Sequence, residues 1–168
     1  MATTFTLIAS TTVGSGGASS IDFTSIPATY TDLVLKFSGR FPDNGVWAGI
    51  KFNGSTSSFS AKIIQANGSS VSSSSYTDAT TIFLTDRNTD TSNTFSNGEL
   101  YIPNYAGSNN KSFSIDTINE NNGSVAYSQL SAYLWANTAA ITSITLYPQS
   151  SATFVQYSTA YLYGIKNS

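Results

Sequence analysis

Alternation of apolar and polar residues with a period of two runs through most of the chain, and it constrains the fold more than any other feature. In Asp32–Ser38, Leu33, Leu35 and Phe37 share one face. Successive side chains of a β-strand point to opposite faces, so this pattern predicts a half-buried strand. No segment of the sequence keeps a 3.6-residue apolar period, and no heptads occur. The sequence therefore predicts an all-β fold of antiparallel strands.

The clearest pair of strands lies in Glu99–Glu120. Two alternating segments there flank the loop Gly-Ser-Asn-Asn at positions 107–110, whose residues tolerate positive φ, so an antiparallel hairpin is predicted. Each segment should present one apolar face and one polar or aromatic face. The two faces of the first segment carry Leu100 and Ile102 against Tyr101 and Tyr105, and those of the second carry Phe113 and Ile115 against Ser112, Ser114 and Asp116.

Further alternating segments predict the remaining strands of one antiparallel β-sandwich with about nine or ten strands, spanning residues 1–168 as a single domain. In the first segment we expect Phe5, Leu7 and Ala9 on one face. In a later one, Val46, Ala48, Ile50 and Phe52 should oppose Trp47 and Lys51. The segments are Thr4–Ala9, Ile21–Phe23, Val46–Phe52, Thr80–Thr85, Val125–Ala136, Ile141–Tyr147 and Thr159–Ile165.

Five Asn-Gly pairs punctuate the chain, and this dipeptide is the strongest short-range indicator of a two-residue hairpin turn. Their recurrence predicts a meander of antiparallel strands. The region 55–75 gives a weaker pattern, because Phe59, Ile63 and Ile64 suit either a strand or a single helical turn, while Ser72–Ser75 is predicted to be loop. The pairs begin at Asn44, Asn53, Asn67, Asn97 and Asn122.

The charged and reactive residues exclude several classes of function. Only 10% of the chain is charged, with 7 basic and 9 acidic residues, whereas Ser and Thr make up roughly 30%. Without a basic surface, nucleic-acid binding is not expected. The sequence has no Cys and no His, which removes thiolate metal sites and the commonest general base. Neither a signal peptide nor a membrane-spanning segment is predicted, so we expect a soluble protein without membrane insertion.

Two clusters of carboxylates contain the residue types of functional sites. Asp86-Arg87-Asn88-Thr89-Asp90 begins like a calcium loop, but Thr91 and Asn97 stand where the EF-hand needs Gly and Glu, so a polar loop with an Arg87 ion pair is the preferred interpretation. Asp116 and Glu120, with Glu99 on the paired strand, have the residue types of a glycoside hydrolase pair, although turn and edge positions explain them more simply. We predict no enzyme, no catalytic residue, no metal and no cofactor.

Tyrosine and tryptophan are more numerous than one modest core requires. Both combine a large apolar area with a polar tip, which suits a protein interface or a platform on which sugar rings stack. Ordinary packing accounts for part of the set, and for the rest we favour subunit contact over sugar. The candidate interface residues, on the strands Val125–Trp135 and Thr159–Ile165, are Tyr127, Tyr133, Trp135, Tyr161 and Tyr163.

Three stretches carry a family resemblance. They are TFTLIASTTVGSGGASSIDFTSIPATYTDLVLKFSGR at the start, ELYIPNYAGSNNKSFSID in the middle, and WANTAAITSITLYP with FVQYSTAYLYGIKNS at the end. Together they resemble the small structural proteins of tailed bacteriophages, cyanophages in particular. The resemblance implies a jelly-roll-like β-sandwich located in the virion, on the capsid or the tail. It brings no catalytic or ligand-binding residues with it.

From the residues and this resemblance we expect a non-enzymatic virion structural protein. The preferred role is a capsid decoration protein, a homotrimer that binds the major capsid protein or other virion proteins and stabilises the head. The alternative is a tail-fibre or receptor-binding adhesin that recognises a host surface glycan. A depolymerase is disfavoured by the missing His and the few carboxylates.

Overall fold

The computed structural model of the chain describes residues 4–42, 47–122, 126–149 and 151–166. Within these ranges the chain forms strands, turns and loops and no helix, so it contains no helix that could cross a membrane. The strands are β1 Phe5–Thr12, β2 Ile21–Phe23, β3 Asp32–Gly39, β4 Trp47–Phe52, β5 Phe59–Ala66, β6 Val71–Thr77, β7 Thr81–Leu84, β8 Ser96–Ile102, β9 Lys111–Ile118, β10 Ser128–Trp135, β11 Ile144–Pro148 and β12 Thr159–Ile165.

These strands form two sheets. The larger has eight strands in the order β1-β12-β3-β8-β9-β10-β5-β6, and the smaller has four in the order β2-β11-β4-β7. Every pair of neighbouring strands is antiparallel. The predicted all-β antiparallel sandwich is confirmed, with twelve strands among the described residues in place of nine or ten.

The core lies between the two sheets and is rich in aromatic rings. As predicted, Leu33, Leu35 and Phe37 of β3 face it. At its centre the Phe52 ring contacts the rings of Phe59, Phe113 and Trp135, with centroids 5.3 to 5.6 Å apart. Edge-on and tilted contacts of this kind add about 0.5–1.5 kcal/mol per pair to the burial of the rings.

The predicted hairpin is confirmed as β8 and β9, with Leu100 opposite Ile115. The expectation that Tyr105 shares the outer face with Tyr101 is wrong. The chain turns at Asn104, which has a φ of 49° and whose carbonyl oxygen accepts from the Gly107 N–H at 3.0 Å. Tyr105 therefore leaves the strand, is fully buried, and donates its hydroxyl proton to the carbonyl of Pro27.

The Asn-Gly pairs have three different outcomes. Asn53–Gly54 is a two-residue turn with φ of 51° and 76°, closed by the Ser55 N–H on the Phe52 carbonyl at 2.9 Å. It leads from the small sheet to the large one. Asn67–Gly68 lies in a four-residue hairpin loop between β5 and β6, so a hairpin forms there but not a two-residue one. The pair at 44–45 and the glycine at 123 lie outside the described residues, so the turns expected there stay predictions. Val46 and Val125, the first residues of two predicted strands, also lie outside them.

For Asn97–Gly98 the turn prediction is wrong, because both residues belong to β8. Gly98 is there for packing. A Cβ at this position would lie 2.6 Å from the ring of Phe83, on the facing sheet, and 2.7 Å from the Asp116 carbonyl. Such distances are far below van der Waals contact, so the two sheets can approach only where the side chain is a hydrogen atom.

Strand β1 departs from its predicted faces. The register shifts between Leu7 and Ala9, which is a β-bulge, and Ile8 and Ala9 both pack against the core. Phe5 and Leu7 were predicted to share the face of Ala9, but they point outward and are about half exposed. A bulge adds one residue to a strand and reverses the faces beyond it, which strict alternation cannot anticipate.

The region around 55–75 is more regular than predicted. Phe59, Ile63 and Ile64 lie on strand β5, so the helical alternative is wrong. Ser72–Ser75, predicted as loop, form the middle of strand β6, whose residues are all exposed. Serine alone gives no alternation, because neither face of this strand is buried. The pairing of β6 with β5 therefore left no pattern in the side chains.

Candidate functional site

The large sheet extends beyond the small one at its β5–β6 end. Strand β7, at the edge of the small sheet, packs against β8 and β9. The inner face of β5 is buried at Phe59 and Ala61, and beyond them the inner faces of β5 and β6 continue past the covered part of the sandwich. We call residues 62–77, which comprise the rest of β5, the loop and β6, the overhang. Between the overhang and the edge of the small sheet lies a cleft with a volume of about 520 Å³, within the roughly 300–1,000 Å³ typical of small-molecule sites.

The floor of the cleft changes from aromatic to amide along the sheet. Tyr133 of β10 lies in register with Ala61, which lies opposite Tyr76 of β6. Four residues from Tyr133 along β10, Gln129 is in register with Gln65. Strand residues an even number apart share a face, so these side chains belong to one surface. Of the two tyrosines, Tyr133 is buried and Tyr76 is 50% exposed.

The wall of the cleft comes from the edge of the small sheet. Trp47, at the start of β4, lines it and is half-buried, and its carbonyl accepts from the Gln149 N–H at 3.1 Å. The Gln149 side chain donates to the Thr80 hydroxyl at 3.2 Å, and this hydroxyl lies 2.9 Å from the hydroxyl of Tyr147. The wall is thus one indole held beside a chain of neutral hydrogen-bonding groups.

Gln129 has an unusual environment in the cleft. Its side chain is 3% exposed, and its amide nitrogen donates to the Ser131 hydroxyl at 2.9 Å. Its carbonyl oxygen is buried without a hydrogen-bond partner. A buried acceptor without a partner costs about 1–3 kcal/mol, so native proteins rarely keep one without a reason. Among the described residues that line the cleft, Gln129 is the one whose side chain has such an unpaired buried atom.

The cleft is almost free of ionisable groups. Among its described lining residues, Asp78 is the one that carries a charge at neutral pH. Burial raises the pKa of Tyr133, whose hydroxyl donates to the Thr81 carbonyl, so this phenol stays protonated. The surface is therefore suited to a neutral ligand that has both hydroxyl groups and apolar faces. Nothing in it resembles a pair of groups for acid and base catalysis.

A second notable surface is the outer face of the large sheet. The covered core lies on its inner side, yet nine of the large hydrophobic residues that are more than about a third exposed point outward from this sheet. They are Phe5, Leu7, Ile64, Val71, Tyr101, Ile118, Leu130, Leu134 and Tyr161.

Six of these residues form two groups on opposite sides of the sheet, and the row of residues that links the groups is polar in its middle. Val71, Tyr101 and Ile118 belong to neither group. We call Phe5, Leu7 and Tyr161 the terminal patch, and Ile64, Leu130 and Leu134 the overhang patch. One row of register partners links the groups across the sheet: Tyr161, Lys36, Glu99, Asp116, Leu130 and Ile64. We call its middle members, Lys36, Glu99 and Asp116, the charged strip. Within it, Lys36 and Glu99 form an ion pair at 2.6 Å.

The five predicted interface residues are not brought together. Tyr133 and Trp135 are 2% and 1% exposed and belong to the core, so the interface prediction is wrong for both. Their strand β10 does have a second apolar face, but it consists of Leu130, Ala132 and Leu134. The two faces of β10 contain the residues predicted for them. However, the face predicted to form the interface lies inside, and the other face lies outside. For the three other residues the interface stays a prediction: Tyr161 is 37% exposed, and Tyr127 and Tyr163 are half-buried.

The carboxylate cluster is only partly assembled. Asp116 lies opposite Glu99 in the β8–β9 register, as expected for paired strands. Glu99 is occupied by Lys36, and Glu120 lies beyond the end of β9, where it accepts the Asn122 N–H at 2.8 Å. Asp116 and Glu120 therefore share no strand face. Glu99, Asp116 and Glu120 therefore do not form a pair of carboxyl groups that face each other across a cleft.

The loop that resembles a calcium site is held by an arginine. The Arg40 guanidinium donates to the Thr91 and Thr94 carbonyls at 3.0 and 2.9 Å and to the Asp90 carbonyl at 3.2 Å, and it also contacts the Arg87 carbonyl. A fixed cation thus occupies the ring of carbonyl oxygens. The predicted ion pair is present, with Arg87 Nε 3.6 Å from Asp90 Oδ2. Within the described ranges, no three acidic residues lie together as a metal site.

Lys111 plays the same part in the loop between β8 and β9. Its side chain is fully buried, and its ammonium group donates to the carbonyls of Gly107 and Asn109, the former at 2.8 Å. Burial lowers the pKa of this lysine. The hairpin predicted from sequence is therefore held by an inserted cation as well as by its turn residues.

Comparisons of the chain with family models, with curated proteins and with solved structures found no match. Function must therefore be argued from the two surfaces described above. Sequence reasoning missed the cleft altogether. The signal available was the pair Gln129 and Ser131, two polar residues on the face of β10 that also carries Tyr133 and Trp135. Polar residues at consecutive inward positions indicate that this part of the face does not meet an apolar core.

Proposed function

We propose that this protein is a non-enzymatic structural protein of a bacteriophage particle, which associates with its own copies and decorates the head. The sequence resemblance described above supports the phage origin. The neutral, histidine-free surface supports a role in binding rather than in catalysis. The arrangement of its apolar side chains supports association through one face of one sheet.

The observation that carries the proposal is the outward concentration of large apolar side chains on the large sheet. Scattered single hydrophobic residues are normal on a protein surface, but contiguous patches mark sites of association. Leu130 and Ile64 are direct register partners and are 60% and 55% exposed. Phe5 and Leu7 are 52% and 51% exposed at the other side of the same face. Association with other protein surfaces would remove these residues from water.

The separation of the two patches favours a ring over a face-to-face dimer. A two-fold dimer places the same patch of both copies in contact. A head-to-tail contact joins two different patches, and it gives a ring when the rotation between neighbours closes and a filament when it does not. Here the terminal patch and the overhang patch are different, and the charged strip lies between them. A homotrimer in which the terminal patch of each copy meets the overhang patch of the next uses both patches of every subunit.

The low net charge of the chain and the repeated contacts of a ring also support the proposal. A net charge of -2 leaves little repulsion between copies. Each contact with a capsid surface is then free to be weak, because a ring that carries three identical contacts binds far more tightly than one subunit does. The particle surface supplies the repeated partner that such a ring needs.

Light scattering on the purified chain tests the self-association. We expect a trimer, and we expect Leu7→Glu and Leu130→Glu each to give monomers, because each places a charge in one of the two patches. Thr24→Glu, at an exposed position next to β2, is the matched control and should stay trimeric. A wild-type chain that is monomeric at high concentration would contradict the proposal.

Mixing the two patch variants distinguishes a ring from a two-fold dimer. If the contact joins different patches, a mixture of Leu7→Glu and Leu130→Glu has one intact junction per pair and should form a heterodimer. If the contact instead joins the same patch of two copies, only one of the two patches is used. The variant altered in the other patch then keeps its full association by itself, and mixing adds nothing. Gold labelling of intact particles then tests the head location.

A tail-fibre or receptor-binding role is the second candidate function. The cleft beside the overhang favours it, because a decoration protein does not require a small-molecule site. Labelling confined to the tail would support this second role and contradict the first.

A further inference from the structure

We infer that the cleft between the overhang and the small sheet binds a neutral carbohydrate, as a single sugar ring or a short oligosaccharide. This inference supplies a ligand for the second candidate function. It does not depend on self-association, because the cleft and the two patches of the outer face are separate surfaces.

The Gln129 carbonyl oxygen is an acceptor that is buried and without a partner, and its residue is part of the lining of the cleft. A ligand that satisfies it must bring a donor, and a sugar hydroxyl is a donor of the right kind. Sites built on buried polar groups select strongly for ligands that pair with them, because the alternative leaves those groups unsatisfied.

The other polar groups of the cleft are also suited to hydroxyls. Gln65 lies beside Gln129 in the next strand, and Gln149 and Thr80 present an amide and a hydroxyl on the opposite wall. An amide both donates and accepts, so each can pair with a hydroxyl in either orientation. Carbohydrates carry a hydroxyl on nearly every carbon atom, so one sugar ring supplies several neutral partners for these groups.

The aromatic residues account for the apolar side of the ligand. Tyr76 is half exposed and Trp47 half-buried, so both present ring area to the cleft. A pyranose ring has a face of C–H groups, which packs against an aromatic ring while its hydroxyls point sideways. The combination of exposed rings and neutral amides distinguishes the cleft from an ordinary apolar pocket, which has few polar groups.

The charge of the cleft lining favours neutral sugars over anionic sugars as ligands. Asp78 is the one charged group among the described residues of the lining, and no described arginine or lysine lines the cleft. Phosphate and carboxylate ligands bind through cationic partners, arginine above all. Uronic acids and sialic acids should therefore bind more weakly than neutral sugars of the same size.

Saturation-transfer NMR tests the inference with the full chain. The probes are glucose, galactose, mannose, N-acetylglucosamine and the disaccharides of each, with glucuronic acid as the anionic comparison. We expect at least one neutral probe to bind in the millimolar range and glucuronic acid to bind more weakly. Absence of binding by every neutral probe, or preference for glucuronic acid, would overturn the inference.

Variants locate the binding site. Tyr76→Ala, which alters an exposed residue, should weaken binding of the best probe by roughly tenfold. Gln129→Met keeps the volume, removes the acceptor and should weaken binding to a similar degree. Tyr101→Ala changes a tyrosine on the outer face and should leave affinity unchanged. Equal affinity of the wild type and Tyr76→Ala would place any binding elsewhere and contradict the inference, whatever Gln129→Met does to folding.

The two tryptophans of the chain provide an independent readout. Trp47 lines the cleft and Trp135 is buried in the core. A sugar in the cleft should change the fluorescence of the wild type and of Trp135→Phe, but not that of Trp47→Phe. Repeating the titration with the monomeric Leu130→Glu variant separates the two proposals, because sugar binding should persist there even if self-association is lost.

Discussion

The large sheet has two halves that use the same kind of strand for opposite purposes. Around β3, β8 and β9, one face is covered by the small sheet, and every inward residue of β8 is buried. At the overhang, β6 has no covered face and every residue is exposed. The difference teaches that strand pairing alone is enough to extend a sheet, and that the covered half must supply the stability that holds the uncovered half in place.

The sharpest test removes one ring from the core that covers the first half and one ring from the overhang. Phe52→Ala should reduce the free energy of unfolding by about 3–5 kcal/mol, because it leaves a cavity among Phe59, Phe113 and Trp135. Tyr76→Ala in the overhang should cost less than about 1 kcal/mol, because its ring is half exposed. Urea unfolding measures both. Similar losses for the two variants would break the comparison.

The next effect concerns the arginine that holds the loop at 87–94. Arg40→Ala should cost about 2–4 kcal/mol, because it leaves several inward-facing carbonyl oxygens without their donor. Lys36→Ala is the matched control, since it removes a cation from the exposed Lys36–Glu99 pair and should change stability by less than about 1 kcal/mol. Thermal unfolding should rank the two. Equal effects would mean that the loop gains little from Arg40.

A smaller effect depends on pH. Burial raises the pKa of Asp86 above its ordinary 3.8. A carboxyl with a higher pKa in the folded state stabilises the fold most below 3.8, and this contribution is lost as the pH rises through the raised value. Asp86→Asn does not titrate. Its stability relative to the wild type should therefore increase from about pH 3 to about pH 7, by about 1.4 kcal/mol for each unit between the two pKa values.

Urea unfolding of both proteins across that pH range measures the Asp86 effect. Asp22→Asn is a control at an exposed position. A difference between Asp86→Asn and the wild type that falls with rising pH would show that the charged form of Asp86 is the better accommodated one.

The smallest effect compares two glycines with nearly the same backbone. Gly54 and Gly68 have φ of 76° and 82°, and a Cβ would have open space at both. Alanine should therefore cost about 1 kcal/mol of local strain at each site. Gly54→Ala should show this cost in global unfolding. Gly68→Ala, at the tip of the overhang, should show it mainly as faster amide exchange in β5 and β6. Equal global losses would mean that the overhang unfolds together with the core.

Sequence reasoning was most successful in the covered half, for a physical reason. A strand with one buried face must alternate, so β3, β4 and the β8–β9 hairpin were all visible in the sequence. Strand β12 was predicted with its observed bounds. The overhang could not be found in this way, because the serines of β6 satisfy no burial requirement on either side.

The functional surfaces were harder to predict than the fold. Alternation identifies two faces of a strand but not which is inside, and on β10 both carry large side chains, so Tyr133 and Trp135 were assigned to the wrong one. The cleft joins β4, β6 and β10, which are far apart in the sequence. Its existence depends on how far one sheet extends past the other. No local pattern encodes that distance, and only the inward Gln129 and Ser131 indicated it.

Strand order has a consequence for the kinetics of folding. Strand β12 lies between β1 and β3, so β1 joins the large sheet only through the described strand that is farthest from it in the sequence. A long loop must close before these strands can pair, and its closure lowers the entropy of the chain before any contact compensates for the loss. Sheets with such non-local pairing therefore form slowly. Refolding should therefore take milliseconds to seconds. During that delay the core strands are exposed to neighbouring chains, so refolding yield should fall as protein concentration rises.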